Sequence, residues 1–167
     1  MSIHIVLVEP EIPQNTGNIA RTCAASGAGL HLIRPLGFSI EDRYLKRAGL
    51  DYWSEVLVSC SDSFTELKEK YGGHSFFYAS TKAGKTYTDI VYPKDCFLVF
   101  GKETAGLPEE LLEANRESCI RIPMREGIRS LNLSNSVAII LYEVLRQQGF
   151  SNMSLKGKMG SEVNEEV

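Results

Sequence analysis

Long hydrophobic runs and closely spaced cysteines are both missing from this sequence. No stretch of about 18 apolar residues occurs, so we expect no membrane-spanning helix. The four cysteines lie far apart and form no C-x-x-C pair, which argues against a disulfide framework or a zinc site. An apolar run at residues 2–8 opens the chain, with no basic segment before it. We therefore expect a first strand there instead of a signal peptide, and a cytoplasmic protein.

Positive charge and histidine are also scarce. Eighteen lysines and arginines are set against 21 aspartates and glutamates, which gives a net charge of −3. This balance argues against a protein that coats nucleic acid in general, although it permits a local basic face. The three histidines are well separated in sequence, so we expect each in the core or on the surface and none as a metal ligand.

The rest of the composition is that of an ordinary globular domain. Hydrophobic residues make up 43% and charged residues 23% of the 167 positions, which are usual fractions for a soluble chain. We expect one domain over residues 1–150. Residues 151–167 are rich in Ser, Gly and Asn and lack hydrophobic periodicity, and they are predicted to form a flexible tail.

Short apolar runs alternate along the chain with helical patterns. Strands are predicted at residues 2–8, 30–33, 55–59, 75–79, 96–100 and 118–122. Helices are predicted at residues 16–26, 41–48, 62–71 and 108–114. A closing helix follows, with Ser134 or Asn135 as its N-cap and an apolar face over residues 137–145. This alternation predicts an α/β fold, with a mostly parallel sheet flanked by helices.

Ligands of open parallel sheets bind beyond the carboxyl ends of the strands, which directs attention to the loops after residues 8, 79, 100 and 122. The loop at residues 101–106 has the glycine spacing of a phosphate-binding loop. However, Leu107 and Pro108 stand where Lys and Ser or Thr would be needed. No G-x-G-x-x-G pattern follows a strand either. A nucleotide hydrolase and a Rossmann dinucleotide site are therefore both disfavoured.

Three polar loops instead carry a shared pattern. They are Asn15-Thr-Gly-Asn-Ile-Ala-Arg21, then Phe100-Gly-Lys-Glu-Thr-Ala-Gly-Leu-Pro108, then Ile122-Pro-Met followed by Ser130-Leu-Asn-Leu-Ser-Asn-Ser-Val137. Taken in this order, they resemble the three motifs of the SPOUT superfamily of RNA methyltransferases, over about residues 3–150. With no added RNA-binding domain, the chain most resembles the minimal TrmL/YibK-type members. Those enzymes 2′-O-methylate the wobble nucleotide, cytidine or uridine 34, of certain leucine tRNAs.

The resemblance implies a fold, a cofactor pocket and an assembly. The family sheet ends in a deep C-terminal trefoil knot, and S-adenosylmethionine lies bent among the loops. Such enzymes are homodimers that pair through their first and last helices. Arg21 of one subunit would then face the cofactor of the other, and Tyr142 would lie at that interface or in the core. By matching positions, the cofactor pocket would be formed by Ala79, Ser80, Gly101, Ile122, Ser130 and Leu131.

The implied reaction is attack of a ribose 2′-hydroxyl on the sulfonium methyl group, with no metal. Arg21 matches the family residue that contacts this hydroxyl. Because a guanidinium stays protonated in proteins, it is a poor base at neutral pH. We therefore expect Arg21 to clamp the adjacent phosphate and to stabilise the developing alkoxide. Asn18, Glu103 and Asn132 are expected to orient Arg21 and the loops.

The implied partner is tRNA, bound through its anticodon stem-loop, with basic residues of the cleft contacting phosphates. The candidates are Arg43, Lys46, Arg47, Arg125 and Arg129. Each of them is also a plausible solvated surface charge. Tyr52 and Trp53 are candidates for base stacking, although core packing is favoured for Trp53. Because a fold does not fix its target, a different tRNA site and ribosomal RNA are also candidate substrates, and a non-catalytic knotted protein that binds RNA or cofactor is a rival function.

Overall fold

A computed structural model of the chain describes residues 2–40 and 55–157. Its strands are β1 (Ile3–Val8), β2 (Gly29–Ile33), β3 (Val58–Ser61), β4 (Ser75–Ala79), β5 (Lys85–Thr86), β6 (Cys96–Phe100) and β7 (Cys119–Arg121). Its α-helices are α1 (Pro13–Ser26), α2 (Phe64–Lys70), α3 (Glu109–Ala114) and α4 (Leu133–Gln147).

The seven strands form one sheet in the order β3-β2-β1-β6-β4-β7-β5. Every neighbouring pair is parallel, so the predicted α/β fold with a parallel sheet is confirmed. The central strand β6 is buried along its whole length, because helices cover both faces of the sheet. Burial on both faces is also why the central strands are continuous apolar runs in the sequence.

Two hydrophobic clusters lie on opposite faces of the sheet. Helices α1 and α4 pack together on one face, where Ile19, Val137 and Ile140 are almost completely buried. Helices α2 and α3 cover the other face through Leu67 and Leu112. The polar surface that remains at the carboxyl ends of the strands is therefore made by the connecting loops, which is where the site is found.

Several predicted boundaries are wrong. The third strand begins at Val58 instead of residue 55, and the two-residue strand β5 was not predicted at all. A strand of two residues is too short to show an alternating pattern, and its position is decided by pairing with β7. Helix α1 begins at Pro13, three residues before the predicted start, as the preference of proline for the first turn allows. The helix predicted at residues 41–48 lies outside the described residues.

Within residues 2–40 and 55–157, no helix is long and apolar enough to cross a bilayer. After α4 the chain is irregular, and Met153 is partly buried against the core. Residues 158–167 of the predicted tail lie outside the described residues.

Two histidines that are distant in sequence meet on the face covered by α2. His4 Nδ1 lies 2.9 Å from His31 Nε2, and His31 Nδ1 lies 2.6 Å from Ser59 Oγ. The rings also contact Phe97. Burial, together with the neighbouring His4, lowers the pKa of His31 from 6.5 to about 4, and burial also lowers the pKa of His4. Lowered pKa values keep both rings neutral in the folded protein at pH 7.

We expect this pair to make stability depend on pH. Because the unfolded chain binds protons at these rings more readily than the folded protein, the free energy of unfolding should fall as the pH drops from 6.5 towards 4. His31→Gln should flatten this slope, whereas His74→Gln, which changes an exposed ring, should leave most of it. Denaturant midpoints measured from pH 4 to 8 would check this, and equal slopes in both variants would contradict it.

Candidate active site

A cavity of about 510 Å³ opens at the carboxyl end of the sheet. It is enclosed by the loops after β4, β6 and β7 and by the segment that leads into α4, as the rule for parallel sheets predicts. All six positions assigned to the cofactor from the motifs line it, namely Ala79, Ser80, Gly101, Ile122, Ser130 and Leu131. Residues of the second and third motifs therefore form one site, and Asn15 of the first motif also lines the cavity.

The lining suits a ligand that combines a flat apolar group with several polar groups. Ile122 and Leu131 provide apolar surface, while Ser80 and Ser130 provide hydroxyl groups. Ile140, in the middle of α4, is almost completely buried and gives the cavity an apolar inner surface. This volume and this mixture are typical of small-molecule and cofactor pockets.

Gly101 allows a close backbone contact within the cavity wall. A β-carbon at this position would lie 2.0 Å from the carbonyl carbon of Gly106 and 2.2 Å from Leu107 N. The close approach that Gly101 permits is therefore made by the protein's own backbone. The segment folds back on itself, with Gly106 N donating to the carbonyl oxygen of Lys102 at 2.8 Å. Glycine is required here to shape the wall of the cavity.

Gly101→Ala should therefore damage the cavity. Overpacking a backbone contact this close is expected to cost about 1–3 kcal/mol of stability, and to weaken ligand binding because the 101–106 loop must move. Gly84→Ala is the matched control, since its β-carbon would meet nothing within 4 Å. Thermal unfolding of both variants would check this prediction, which fails if the two substitutions have equal effects.

Glu103 fastens the loop after β6 to the start of α1. Its carboxylate accepts hydrogen bonds from Glu11 N at 2.8 Å, from Ile12 N at 3.3 Å and from Asn15 Nδ2 at 3.0 Å. Ile12 is the N-cap of α1 and provides no side-chain cap of its own. A carboxylate from another loop thus satisfies donors at this helix end, where negative charge is also favoured by the helix dipole.

The same hydrogen-bond chain continues to α4. Asn132 Nδ2 donates to Asn15 Oδ1 at 3.0 Å, and Asn132 Oδ1 accepts from Ser134 N at 2.9 Å and more weakly from Asn135 N. Asn132 is therefore the N-cap of α4, and the predicted caps Ser134 and Asn135 are wrong. They are the residues whose amides are capped. We call this series of hydrogen bonds, from Glu103 through Asn15 and Asn132 to α4, the amide relay.

Two further contacts brace the same loops. Glu11 accepts hydrogen bonds from Thr104 N at 3.0 Å and from its hydroxyl, and these bonds lower the pKa of Glu11. Lys102 Nζ lies 2.8 Å from a carboxylate oxygen of Glu9, which raises the pKa of Lys102. The loops after β1 and β6 therefore hold each other in place on one side of the cavity.

The remaining predicted residues lie in different places. Asn18 and Arg21 are exposed on one face of α1 and do not line the cavity. Arg125 and Arg129 are exposed in the segment before α4, and Arg129 lines the cavity. Tyr142 is 42% exposed, so it is a surface residue and not a core residue of the single chain. Arg43, Lys46, Arg47, Tyr52 and Trp53 lie outside the described residues.

Sequence reasoning missed Asn15 as a site residue. Its side chain is almost fully buried and joins Glu103 to Asn132. The sequence did contain a signal for this role, because Asn15 is the first residue of the first motif. Among the described residues, no group of three or more His, Cys, Asp or Glu side chains is placed to hold a metal ion.

Comparisons with known proteins agree with this geometry. Residues 2–142 match the SpoU rRNA Methylase family. A relative from Listeria innocua, provisionally named a tRNA (cytidine(34)-2′-O)-methyltransferase, is 58% identical over 153 residues, which is 90% of each chain.

Two solved structures are also similar to this chain. One, concerned with the 2-OH methylation of C/U34 on tRNA, is 45% identical with a TM-score of 0.84, covering 89% of this chain and 97% of that chain. The other, an AdoMet-bound rRNA methyltransferase from Sinorhizobium meliloti, is 27% identical with a TM-score of 0.76, covering 87% of this chain and 56% of that one. The resemblance of the three motifs to RNA methyltransferases is thus confirmed, and the chain belongs to the SpoU rRNA Methylase family.

Proposed function

We propose that this protein transfers a methyl group from S-adenosylmethionine to the ribose 2′-oxygen of nucleotide 34 in tRNA. The observation that carries the proposal is the cavity, because loops bearing all three methyltransferase motifs converge on it. Family membership supplies the reaction type. The position on tRNA comes from the relative and the solved structure that concern cytidine 34 or C/U34.

The residues of the cavity fit S-adenosylmethionine. Ile122 and Leu131 would hold the adenine between apolar side chains, and Ser80 and Ser130 would bind its polar groups. Gly101 contributes by shaping the wall. When bound, the cofactor supplies an activated methyl group on a sulfonium, so the protein has mainly to position the acceptor oxygen. The proton of the ribose hydroxyl is released to solvent.

Arg21 is proposed to act on the acceptor. A guanidinium binds a phosphate in bidentate fashion and stabilises negative charge that develops on a nearby oxygen. Arg21 is exposed on α1 and does not line the cavity of its own chain. The site is therefore proposed to be completed in a homodimer paired through α1 and α4, with Arg21 facing the cavity of the other subunit. Asn18 lies on the same exposed face and would orient it.

The amide relay supports the proposed roles of Glu103 and Asn132. Neither side chain needs to touch the substrate, since each holds a loop that forms the cavity wall. They are proposed as positioning residues, together with Asn15.

The finer features implied by the family are also proposals. They are a deep trefoil knot in the C-terminal part of the chain, leucine tRNAs as substrates, binding through the anticodon stem-loop, and a cytoplasmic location. We likewise propose a single domain over residues 1–150 and a flexible tail over residues 151–167. For the RNA surface, Arg129 lines the cavity and Arg125 is exposed in the same segment before α4, and Arg43, Lys46 and Arg47 remain proposed from the sequence.

Methyl transfer from labelled S-adenosylmethionine to tRNA tests the function. We expect label in leucine tRNA as a 2′-O-methylated nucleotide 34. The matched control is the same tRNA with a 2′-deoxy nucleotide at position 34, which lacks the acceptor oxygen and should take up no label. Label at another nucleotide, or equal label in both substrates, would refute the assignment.

Ribosomal RNA is the second candidate substrate. The family is described as an rRNA methylase family, and one related structure is an rRNA methyltransferase. The same assay with purified ribosomal RNA separates the candidates. The methylation rate should reach its maximum at a lower concentration of the preferred RNA. Failure of all RNA substrates despite cofactor binding would favour a non-catalytic protein.

A further inference from the structure

Among residues 2–40 and 55–157, three cationic side chains line the cavity, and two of them form ion pairs. Lys82 forms an ion pair with Glu109, and Lys102 forms one with Glu9 at 2.8 Å. Each of these lysines therefore has a carboxylate partner that an incoming phosphate would have to displace. The third is Arg129.

Arg129 differs from the two lysines. Its side chain is exposed, and it makes no hydrogen bond or ion pair with any residue in the ranges 2–40 and 55–157. The guanidinium carries a permanent charge and a planar set of donors that matches phosphate oxygens in bidentate fashion. Of the cations that line the cavity in these ranges, it is the one available to an anionic ligand.

The backbone presents Arg129 next to an exposed apolar side chain. A tight turn closes between Arg125 and Ile128, with Ile128 N donating to the carbonyl oxygen of Arg125 at 3.3 Å. Gly127 has a φ of 82°, which glycine adopts without strain. Ile128 is 58% exposed. A cation beside an apolar side chain can contact a phosphate and an unstacked base at once, since the two lie close together in one nucleotide of single-stranded RNA.

We infer that the turn at residues 125–129 binds one nucleotide of the RNA substrate. Arg129 binds one of the two phosphates that flank the methylated ribose, leaving the other to Arg21, and Ile128 packs against a base. This inference rests on the proposed RNA methyltransferase function and adds a substrate-positioning residue to it. It also separates Arg129 from Arg125, which belongs to the same turn but does not line the cavity.

The test compares Arg129→Ala with Arg125→Ala in the full-length enzyme, with tRNA as substrate. Both substitutions remove one positive charge from the same turn, so a general loss of attraction for RNA should be equal in the two. We expect the KM for tRNA to rise roughly 10- to 100-fold in Arg129→Ala, and much less in Arg125→Ala. Arg129→Lys keeps the positive charge but loses the planar set of guanidinium donors. Its KM for tRNA should therefore lie between the values of Arg129→Ala and the wild type.

Two further measurements make the result specific. The slope of log binding constant against log salt concentration should become shallower by about 0.7 in Arg129→Ala, as expected for the loss of one single-strand phosphate contact. The affinity for S-adenosylmethionine, measured by calorimetry without RNA, should stay unchanged. Ile128→Ala should raise the KM for tRNA without altering the salt slope.

The possible outcomes separate this inference from the proposed function. A weakened cofactor affinity in Arg129→Ala would assign the arginine to the cofactor instead and overturn the inference. Equal effects of Arg129→Ala and Arg125→Ala would also overturn it, while tRNA methylation by the wild type would leave the proposed function intact. If the wild-type enzyme transfers no methyl group to any RNA, the proposed function itself fails.

Discussion

Arg21→Ala is expected to lower the turnover number for tRNA methylation by about 100- to 1000-fold, the usual cost of removing one group that stabilises developing charge on oxygen. Folding should be unaffected, because Arg21 is exposed on α1. Cofactor binding should also survive, because Arg21 does not line the cavity of its own chain. Single-turnover methyl transfer at saturating tRNA would measure the effect.

Arg116→Ala is the control for this experiment, since it removes another exposed arginine, outside α1 and away from the cavity lining. A mixture of two inactive variants, Arg21→Ala with a second variant whose own cavity is destroyed, adds a sharper test. If the active site is shared between subunits, mixed dimers should recover one working site. An unchanged turnover number in Arg21→Ala would remove this residue from the mechanism.

Asn132→Asp is expected to disrupt the site although it changes only one amide group. The new carboxylate still accepts from Ser134 N, so α4 keeps its cap. It cannot donate to Asn15 Oδ1, as Asn132 Nδ2 does at 3.0 Å. If the Asn15 amide flips to repair this contact, its oxygen faces the Glu103 carboxylate instead. Either arrangement leaves one repulsive contact.

The expected result is a loss of about 1–3 kcal/mol of stability, with cofactor binding weakened because the loops of the cavity are held by the amide relay. Asn132→Ser is the matched control. Serine is a good N-cap but does not place a charge against Asn15, so its effect should be smaller. Thermal unfolding and calorimetric binding of S-adenosylmethionine would measure both. An equal or larger loss in Asn132→Ser would contradict the prediction, because the carboxylate placed against Asn15 would then cost nothing extra.

The strands of the sheet could be predicted because parallel strands are buried on both faces. Residues 96–100 form a continuous apolar run in the sequence, and all five of these positions are buried in β6. Strand β5 could not be predicted, since Lys85 and Thr86 are polar and partly exposed, and the strand exists only through its pairing with β7. The start of α1 was missed because the group that satisfies its N-terminus comes from Glu103, in a distant loop.

The location of the cavity could also be predicted, but the roles of individual residues could not. The rule for parallel sheets and the three motifs identify the loops, and all six expected positions line the cavity. The sequence did not show that Gly101 packs against the backbone of Gly106, a contact between residues that only the folded loop brings together. Likewise, Asn132 and not Ser134 caps α4, because the distant Asn15 fixes the orientation of its amide.

The sequence by itself determined the order of buried strands and amphipathic helices, and with it the parallel sheet and the edge at which the ligand site forms. These features follow from hydrophobic periodicity, which is a local property of the chain. Only the tertiary structure decided which polar groups meet, as His4 meets His31 and Glu103 meets Asn15. A hydrogen bond depends on distances of about 3 Å between atoms, and residues 88 positions apart, such as these last two, reach that distance only when the whole sheet has assembled.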